Sequence, residues 1–265
     1  MTQQTTAGFV PQQSFFSALP SLYLNNGQIS RASNTTLTIQ PGQFRDSTNS
    51  SDIVLGTYFD DPSVTPAPVT LNAAVNGVNG LDSGTLAAST MYYVYAISDP
   101  TSYQTTATIL SLSSSTPALP FGYGAYRRIG SWATDGSTHF VVGNYSASTA
   151  GREFFYDAPV QVLSAGSATT ATAVTLLNIV PNFNNIAVNL ESLYTPSSAA
   201  HTAVIVPGTS TSTTTVILQN AAAAAQQLPP FRVLAQTVSA APKVLYNVTS
   251  GDTLSLWVAG YVDPV

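Results

Sequence analysis

Apolar residues recur at every second position in short runs along most of this chain, and Gly, Pro, Ser or Asn ends each run. That is the period of a strand, whose successive side chains point to opposite faces. Residues 91–98, MYYVYAIS, form the densest run, with Tyr92, Val94 and Ala96 on one face and Tyr93, Tyr95 and Ile97 on the other. Both faces are apolar, so this strand is expected to be covered on both sides. TATILSLSSSTPALP reads as a second strand entering a proline-bounded turn. Asn76-Gly77 and Asn79-Gly80 favour turns with positive φ. Asp135-Gly136 is the strongest two-residue hairpin signal. Pairing Thr134 with Ser137 would set Trp132 opposite His139. It would also place Tyr126, Arg128 and Trp132 on one face, with Arg127 and Ile129 on the other.

Beyond residue 157 the same pattern continues through APVQVLSA, TATAVTLLNIV, IAVNLESLY, HTAVIVPG, STTTVILQN, FRVLAQTV, KVLYNVTS and TLSLWVAGYV. In the last of these Leu254, Leu256 and Val258 alternate with Thr253, Ser255 and Trp257. Ala221–Ala225 favours helix but is too short to hold one alone. The pattern predicts an all-β protein of antiparallel, sandwich or jelly-roll-like domains. Its expected parts are an irregular N-terminal arm over 1–43, a β domain over 44–157 and a C-terminal β-sandwich over 158–265. In the arm, Phe15, Phe16, Leu19, Leu22, Tyr23 and Leu24 crowd into polar surroundings. They either pack on their own domain or dock onto another protein, since termini are ordered only when tied down.

Composition sharpens this picture. Only 7% of the 265 residues are charged, against roughly 25% in ordinary domains. Lys243 is the only lysine, and Glu153 and Glu191 are the only glutamates. A surface of hydroxyls and amides suits extended β architecture and lasting association. Seven cations and a net charge of −5 disfavour a nucleic-acid partner. No apolar run reaches the roughly 20 residues of a membrane span, and MTQQTTAGFVPQQ lacks the features of a secretory signal. The expectation is synthesis in the cytoplasm with no membrane span. The absence of cysteine excludes disulfides, thiolate metal sites and a Cys nucleophile.

Searches for chemistry find little. His139 and His201 stand in no metal-binding spacing. Glu153 and Asp157, in REFFYD, resemble a carboxylate pair, but a partner for Arg152 is the simpler reading. Asp60-Asp61 offers hard oxygen ligands without EF-hand spacing around them. Glycines near Phe121–Gly124 lack the strand-loop-helix setting of a phosphate loop, and no GxSxG occurs. The sequons at Asn34, Asn49, Asn144 and Asn247 are what a chain rich in Ser, Thr and Asn produces by chance. No catalytic, cofactor or metal residue is assigned, and the chain is expected not to be an enzyme.

Three stretches in order carry a resemblance: QPGQFRDSTNSSDIVL at 41–55, NGVNGLDSGTLAASTMYYVYAISDP at 76–100 and LPFGYGAYRRIGSWATDGS at 119–137. Together they resemble a module of tailed-bacteriophage virion proteins, in which an RDS segment precedes an NGxNGLDxG…YYVY block and an RRIG hairpin. Arg45-Asp46-Ser47, Asn79-Gly80-Leu81-Asp82-Ser83-Gly84, Tyr92-Tyr93-Val94-Tyr95 and Arg127-Arg128-Ile129-Gly130 match. Met91 stands where the family tends to have Trp, and Phe-Gly-Tyr-Gly-Ala before the arginines is a variant. The resemblance covers 41 to about 142 and implies a virion structural protein. The resemblance does not give the station on the particle; the leading expectation is a homotrimeric fibre or spike held by its N-terminal arm, with capsid, portal, adaptor or tail proteins as partners and a host surface glycan as receptor. A capsid decoration protein and a carbohydrate-binding receptor-recognition protein are the alternatives. Arg127, Arg128, Trp132, Asp135 and Gly136 are then a structural hairpin. One arginine is expected inside, bonded to carbonyls or to a carboxylate such as Asp82 or Asp135, and the other free at a surface or subunit interface.

Overall fold

The computed structural model describes residues 19–56, 66–148, 151–208, 216–219, 222–238 and 241–265. Phe15, Phe16, Asp60 and Asp61 lie outside the described residues. Strands occur throughout, and among the described residues there is no helix. The first half holds β1 (Leu24–Asn26), β2 (Ile29–Arg31), β3 (Thr36–Ile39), β4 (Gly42–Arg45), β5 (Asp52–Leu55), β6 (Val69–Asn72), β7 (Met91–Asp99), β8 (Ser102–Ser111), β9 (Ala125–Ala133) and β10 (Gly143–Ser148). The second holds β11 (Gly151–Gly166), β12 (Thr172–Thr175), β13 (Ile186–Thr195), β14 (Thr202–Pro207), β15 (Val216–Gln219), β16 (Gln226–Val238), β17 (Ala241–Val248) and β18 (Thr253–Asp263). Ala222–Ala225 is a bend leading into β16 rather than a helical turn.

Among the described residues the strands form three sheets, and the ladders that join them within each sheet are antiparallel. The largest runs β15-β14-β17-β16-β13-β18-β11-β10-β2-β3-β6, with β12 added on β17. Among the described residues this sheet ends at β15 and β6 and closes into no barrel, which is consistent with a β-sandwich. Two three-stranded sheets, β1-β4-β5 and β8-β7-β9, complete the fold. β11 runs straight through residue 157, and its register on β18 shifts between Phe155 and Val160. Through the β10–β11 hairpin the large sheet joins N-terminal strands to C-terminal ones.

Burial follows from the alternation. β13 reads IAVNLESLYT, and every second residue from Ile186 to Tyr194 is buried. In β7 the residues from Met91 to Ser98 are all buried, because both faces are covered. Tyr92, Val94 and Ala96 enter the main core, whereas Tyr93, Tyr95 and Ile97 join a second, smaller one. The Asn-Gly turns behave as their chemistry demands, with Gly77 at φ 94° and Asn79 at φ 58°. Among the described residues no helix is long and apolar enough to cross a membrane.

Two bulges decide which way later side chains point. In β9, Gly130 pairs with Val94 but Arg128 pairs with Tyr95, so Ile129 is the extra residue. An extra residue flips the phase of alternation. Arg128 therefore shares the face of Tyr95, and Trp132, opposite Tyr92, takes the other; the single face expected for Arg128 and Trp132 is corrected. In β18, Val258 pairs with Leu190 but Gly260 pairs with Asn189, leaving Ala259 extra. Leu254, Leu256 and Val258 point inward before the bulge, and Tyr261 and Asp263 point inward after it. Gly260 is required by a close approach: a Cβ there would lie 2.2 Å from the Phe154 carbonyl oxygen. Gly260→Ala is expected to destabilise the fold by about 2–3 kcal/mol and lower the melting temperature by about 4–10 °C. Gly136→Ala, where a Cβ would meet nothing within 4 Å, is the control. Equal melts for the two variants in calorimetry would refute this account of the bulge.

Candidate functional site

The arginine pair lies on β9, the strand that enters the expected hairpin. Asp135-Gly136 does not form a two-residue turn. Asp135 Oδ1 instead accepts hydrogen bonds from the Ser137 and His139 amides at 2.8 and 2.9 Å, and Thr138 takes the positive φ, 61°. Capping its own loop in this way gives Asp135 a wider turn. Thr134 then bridges Phe140 rather than Ser137, and the chain leaves β9 to pair with β11. Trp132 is fully buried, and its indole N–H donates to the Val141 carbonyl at 3.0 Å.

Arg128 is the arginine with a carboxylate partner, and that partner is neither Asp82 nor Asp135. Its Nη1 meets Asp263 Oδ1 at 2.7 Å, and Nη2 donates to the Pro264 carbonyl. The guanidinium also lies over the Phe183 ring, 4.3 Å from its centroid. Asp263 Oδ2 accepts from the Ser131 hydroxyl at 2.6 Å and from the Tyr145 hydroxyl at 2.8 Å. The Ser131 amide closes the network by donating to Tyr145 Oη at 2.8 Å. Burial, and then the Asp263 charge, push the Tyr145 hydroxyl well above its ordinary range, so it stays a neutral donor. Both carboxylate oxygens of Asp263 are thereby engaged in a place 1% exposed.

Around this node the aromatic side chains pack edge to face. Phe154 sits at the centre, 5.0 Å from Trp132, 5.3 Å from Tyr145 and 5.0 Å from Tyr156 by ring centroid, and stacked 5.1 Å from Tyr261. Such pairs each add about 0.5–1.5 kcal/mol beyond their burial. The node and its aromatic wall join β9, β10, β11 and β18.

Arg127, expected free if Arg128 was internal, is the buried one of the two, and Arg128 is half-buried. The Ile129 bulge leaves it on the side of the N-terminal arm, where Nη2 approaches the Leu22 carbonyl at 3.5 Å and Nε has no partner. Burial, and then the neighbouring Arg128 charge, lower its pKa. The described arm packs on its own domain: the Leu22 amide donates to Asn49 Oδ1, the Arg45 amide to the Tyr23 carbonyl, and Leu24 pairs with Phe44. Leu19 lies against Asp52 through its amide, and the Leu22 side chain is exposed.

Arg152 does not pair with Glu153 or Asp157, the partners expected from their spacing. Its Nη1 donates to the Gly27 and Ile129 carbonyls at 2.9 and 2.6 Å, and Nη2 to the Asn26 carbonyl. Along β11 the next side chain points the opposite way, so Glu153 takes Asn189 at 2.6 Å and Arg232 instead. Asp157 is exposed.

Sequence reasoning missed a second polar node. Buried Asp252 accepts from Tyr194 Oη at 2.6 Å, the Ser197 amide at 2.7 Å and the Ser197 hydroxyl at 2.8 Å, with His201 Nδ1 at 3.0 Å. Ser, His and Asp meet here, yet Ser197 Oγ and Asp252 both address the same ring nitrogen, Nδ1. A nucleophilic triad needs the serine on the other nitrogen, so this set is a cap for the 195–201 turn. Burial alone would raise the Asp252 carboxyl; the hydrogen bonds from His201, Ser197 and Tyr194 outweigh it and hold it well below the usual carboxylate range. Spacing across 55 residues between Ser197 and Asp252 left no local signal to find. Among the described residues, no group of three His, Cys, Asp or Glu could hold a metal ion.

No known protein-family model matches the chain, and no curated protein does. Among solved structures, a Bacillus thuringiensis Cry1Da tryptic core variant is similar over 94% of this chain and 53% of its own, at 9% identity and a TM-score of 0.21. The chain thus spans about half the length of that structure, and a likeness this slight bears on nothing further.

Two outcomes follow from these nodes. Arg128→Ala strands Asp263 and is expected to cost about 3–5 kcal/mol. Arg127→Ala removes a weakly bonded cation and costs less, so equal or reversed denaturation midpoints would refute the assignment. For Asp252, the folded pKa lies below that of the unfolded chain, which therefore binds its proton first as pH falls. Its stabilisation is complete above about pH 4 and declines below it. The stability gap between the parent and Asp252→Asn, measured by urea unfolding, should be narrower at pH 3 than at pH 7. An unchanged gap would refute the role given to these hydrogen bonds.

Proposed function

We propose that this chain is a non-enzymatic structural protein of a tailed-phage virion, a fibre or spike-type appendage attached through its N-terminal arm. One observation carries the reading. The three stretches that resemble the virion module are separated in sequence but pack as one unit around β7, β8 and β9. Asp46 closes the 46–51 loop by accepting from the Thr48, Ser50 and Ser51 amides at 3.0, 2.7 and 2.6 Å, and the Ser47 amide docks that loop on the Tyr126 carbonyl at 2.8 Å. Asn79 clasps β8 in both directions, its amide donating to the Thr108 carbonyl and its Oδ1 accepting from the Thr108 amide, each at 2.9 Å. The Asp82 amide donates to the Leu110 carbonyl, and Asp82 Oδ2 accepts from the Ala118 amide. The Tyr95 hydroxyl reaches the Ser113 carbonyl at 2.8 Å.

Every polar side chain of the motif named here holds backbone to backbone. That use supports an architectural module, since a reactive site would need some of these groups turned toward a ligand. The low charge supports close packing of like chains, and a homotrimer is the assembly we assign. Host surface glycan and neighbouring virion proteins are the partners this reading implies.

An antibody raised against the purified chain should decorate purified phage particles in electron microscopy. Particles that carry no label, and whose proteins yield no peptide of this sequence, would overturn the reading. Sedimentation equilibrium then separates its forms: a concentration-independent trimer of the 27.6 kDa chain supports the fibre or spike, and a monomer would replace it with a decoration protein ordered on the capsid lattice.

A further inference from the structure

The outward face of the large sheet carries a different chemistry from its core. A hollow of about 320 Å³ opens there, lined by Pro159, Glu191, Leu193, Gln227 and Trp257 from β11, β13, β16 and β18. The ladders build it: Glu191 lies directly across from Trp257, and Leu193 directly across from Gln227. Trp257 faces outward because Leu256 and Val258 on either side of it are fully buried. Its ring and the Glu191 side chain are half-buried, whereas Pro159 and Gln227 are exposed.

The hydrogen-bonding groups of this hollow are unused. Among the described residues, neither the Glu191 carboxylate, the Gln227 amide nor the Trp257 indole N–H has a partner. The contrast with Glu153, the only other glutamate, is direct: Asn189 and Arg232 both engage that carboxylate. Glu191 is left to solvent, so its carboxylate is free to accept hydrogen bonds from a ligand.

We infer that this hollow binds a neutral pyranose ring. An indole face offers a flat apolar surface for the C–H face of a sugar, while its N–H stays at the wet edge. Glu191 accepts from ring hydroxyls, Gln227 both donates and accepts, and Pro159 and Leu193 flank the ring. A few polar groups converging on an apolar floor are the usual makings of a small-ligand site. Charge selects among sugars: Glu191 faces the ligand with no cation in the lining, so sialic and uronic acids are repelled. A metal ion would find a lone carboxylate with no third acidic or imidazole group. A dry protein partner would bury that carboxylate unpaired, which is costly. The chemistry of this hollow is independent of whether the chain rides on a virion.

Tryptophan fluorescence reads the site directly, because the chain has two tryptophans and Trp132 is 0% exposed. Titrating the intact chain with maltotriose, cellotriose, lactose and tri-N-acetylchitotriose should give, for at least one, a saturable emission change and protection from acrylamide quenching. Sialyllactose and trigalacturonate should bind at least tenfold more weakly. By calorimetry, Trp257→Ala should abolish binding and Glu191→Gln should weaken it at least fivefold, with thermal melts like the parent's. Should Trp257→Ala fail to fold, Glu191→Gln decides. No saturation by any neutral probe, equal binding of the acidic ones, or variants that bind like the parent would overturn the site. Sugar binding by a chain absent from particles would overturn only the virion reading; labelled particles without sugar binding would overturn only this site.

Discussion

A carboxylate at the end of the last strand, taken fully out of water, sets the terms for the rest of this molecule. An ionised group in that position is tolerated only when its oxygens are bonded and its charge is answered. Asp263 obtains this from Arg128 and Ser131 on β9 and from Tyr145 on β10. Strands more than a hundred residues apart in sequence must therefore arrive together and in register. The bulges at Ile129 and Ala259 are the means, since each turns the following residues by one position and brings arginine, serine and carboxylate to a common point. The aromatic wall around Phe154 then excludes the water that would weaken those bonds.

The same logic governs the other scarce cations. Arg152 gathers carbonyls from the Asn26–Gly27 turn and from the β9 bulge, and Arg127 approaches a carbonyl of the arm. These guanidiniums sit where the ladder cannot supply its own donors, at seams between sheets. Five donors on a planar head suit that task better than an ammonium does, and lysine is nearly absent from the chain. Asp46, Asp135 and Asp252 do the converse work, accepting from amides that turns leave without partners. A protein with so few charges has placed them mainly where backbone would otherwise go unsatisfied.

Set against that economy, the outward hollow of the large sheet stands apart. Trp132 and Trp257 are the same residue used in opposite ways: one is sealed in the core with its N–H bonded to a carbonyl, and the other lies at the surface beside an unanswered carboxylate. A module built for architecture and a sheet face able to hold a sugar are compatible duties for an appendage, because rigid strands keep the few exposed polar groups in place.

By itself the sequence determined the all-β class, the two-sided burial of β7, the positive-φ Asn-Gly turns and the alternation of Leu254, Leu256 and Val258 with Thr253, Ser255 and Trp257. Each of these depends on residues within a few positions of one another, and period and turn chemistry are local properties. It equally placed the arginine pair at the centre of the matter, and it expected one arginine inside. Only the tertiary structure decided that Arg127 is buried and Arg128 half-buried against Asp263, that Arg152 holds carbonyls, and that Ser197, His201 and Asp252 form a cap. Those outcomes turn on single-residue bulges and on strands meeting from distant parts of the chain. One inserted residue reverses every face that follows it, and nothing in the local pattern marks where a ladder will take up that extra residue.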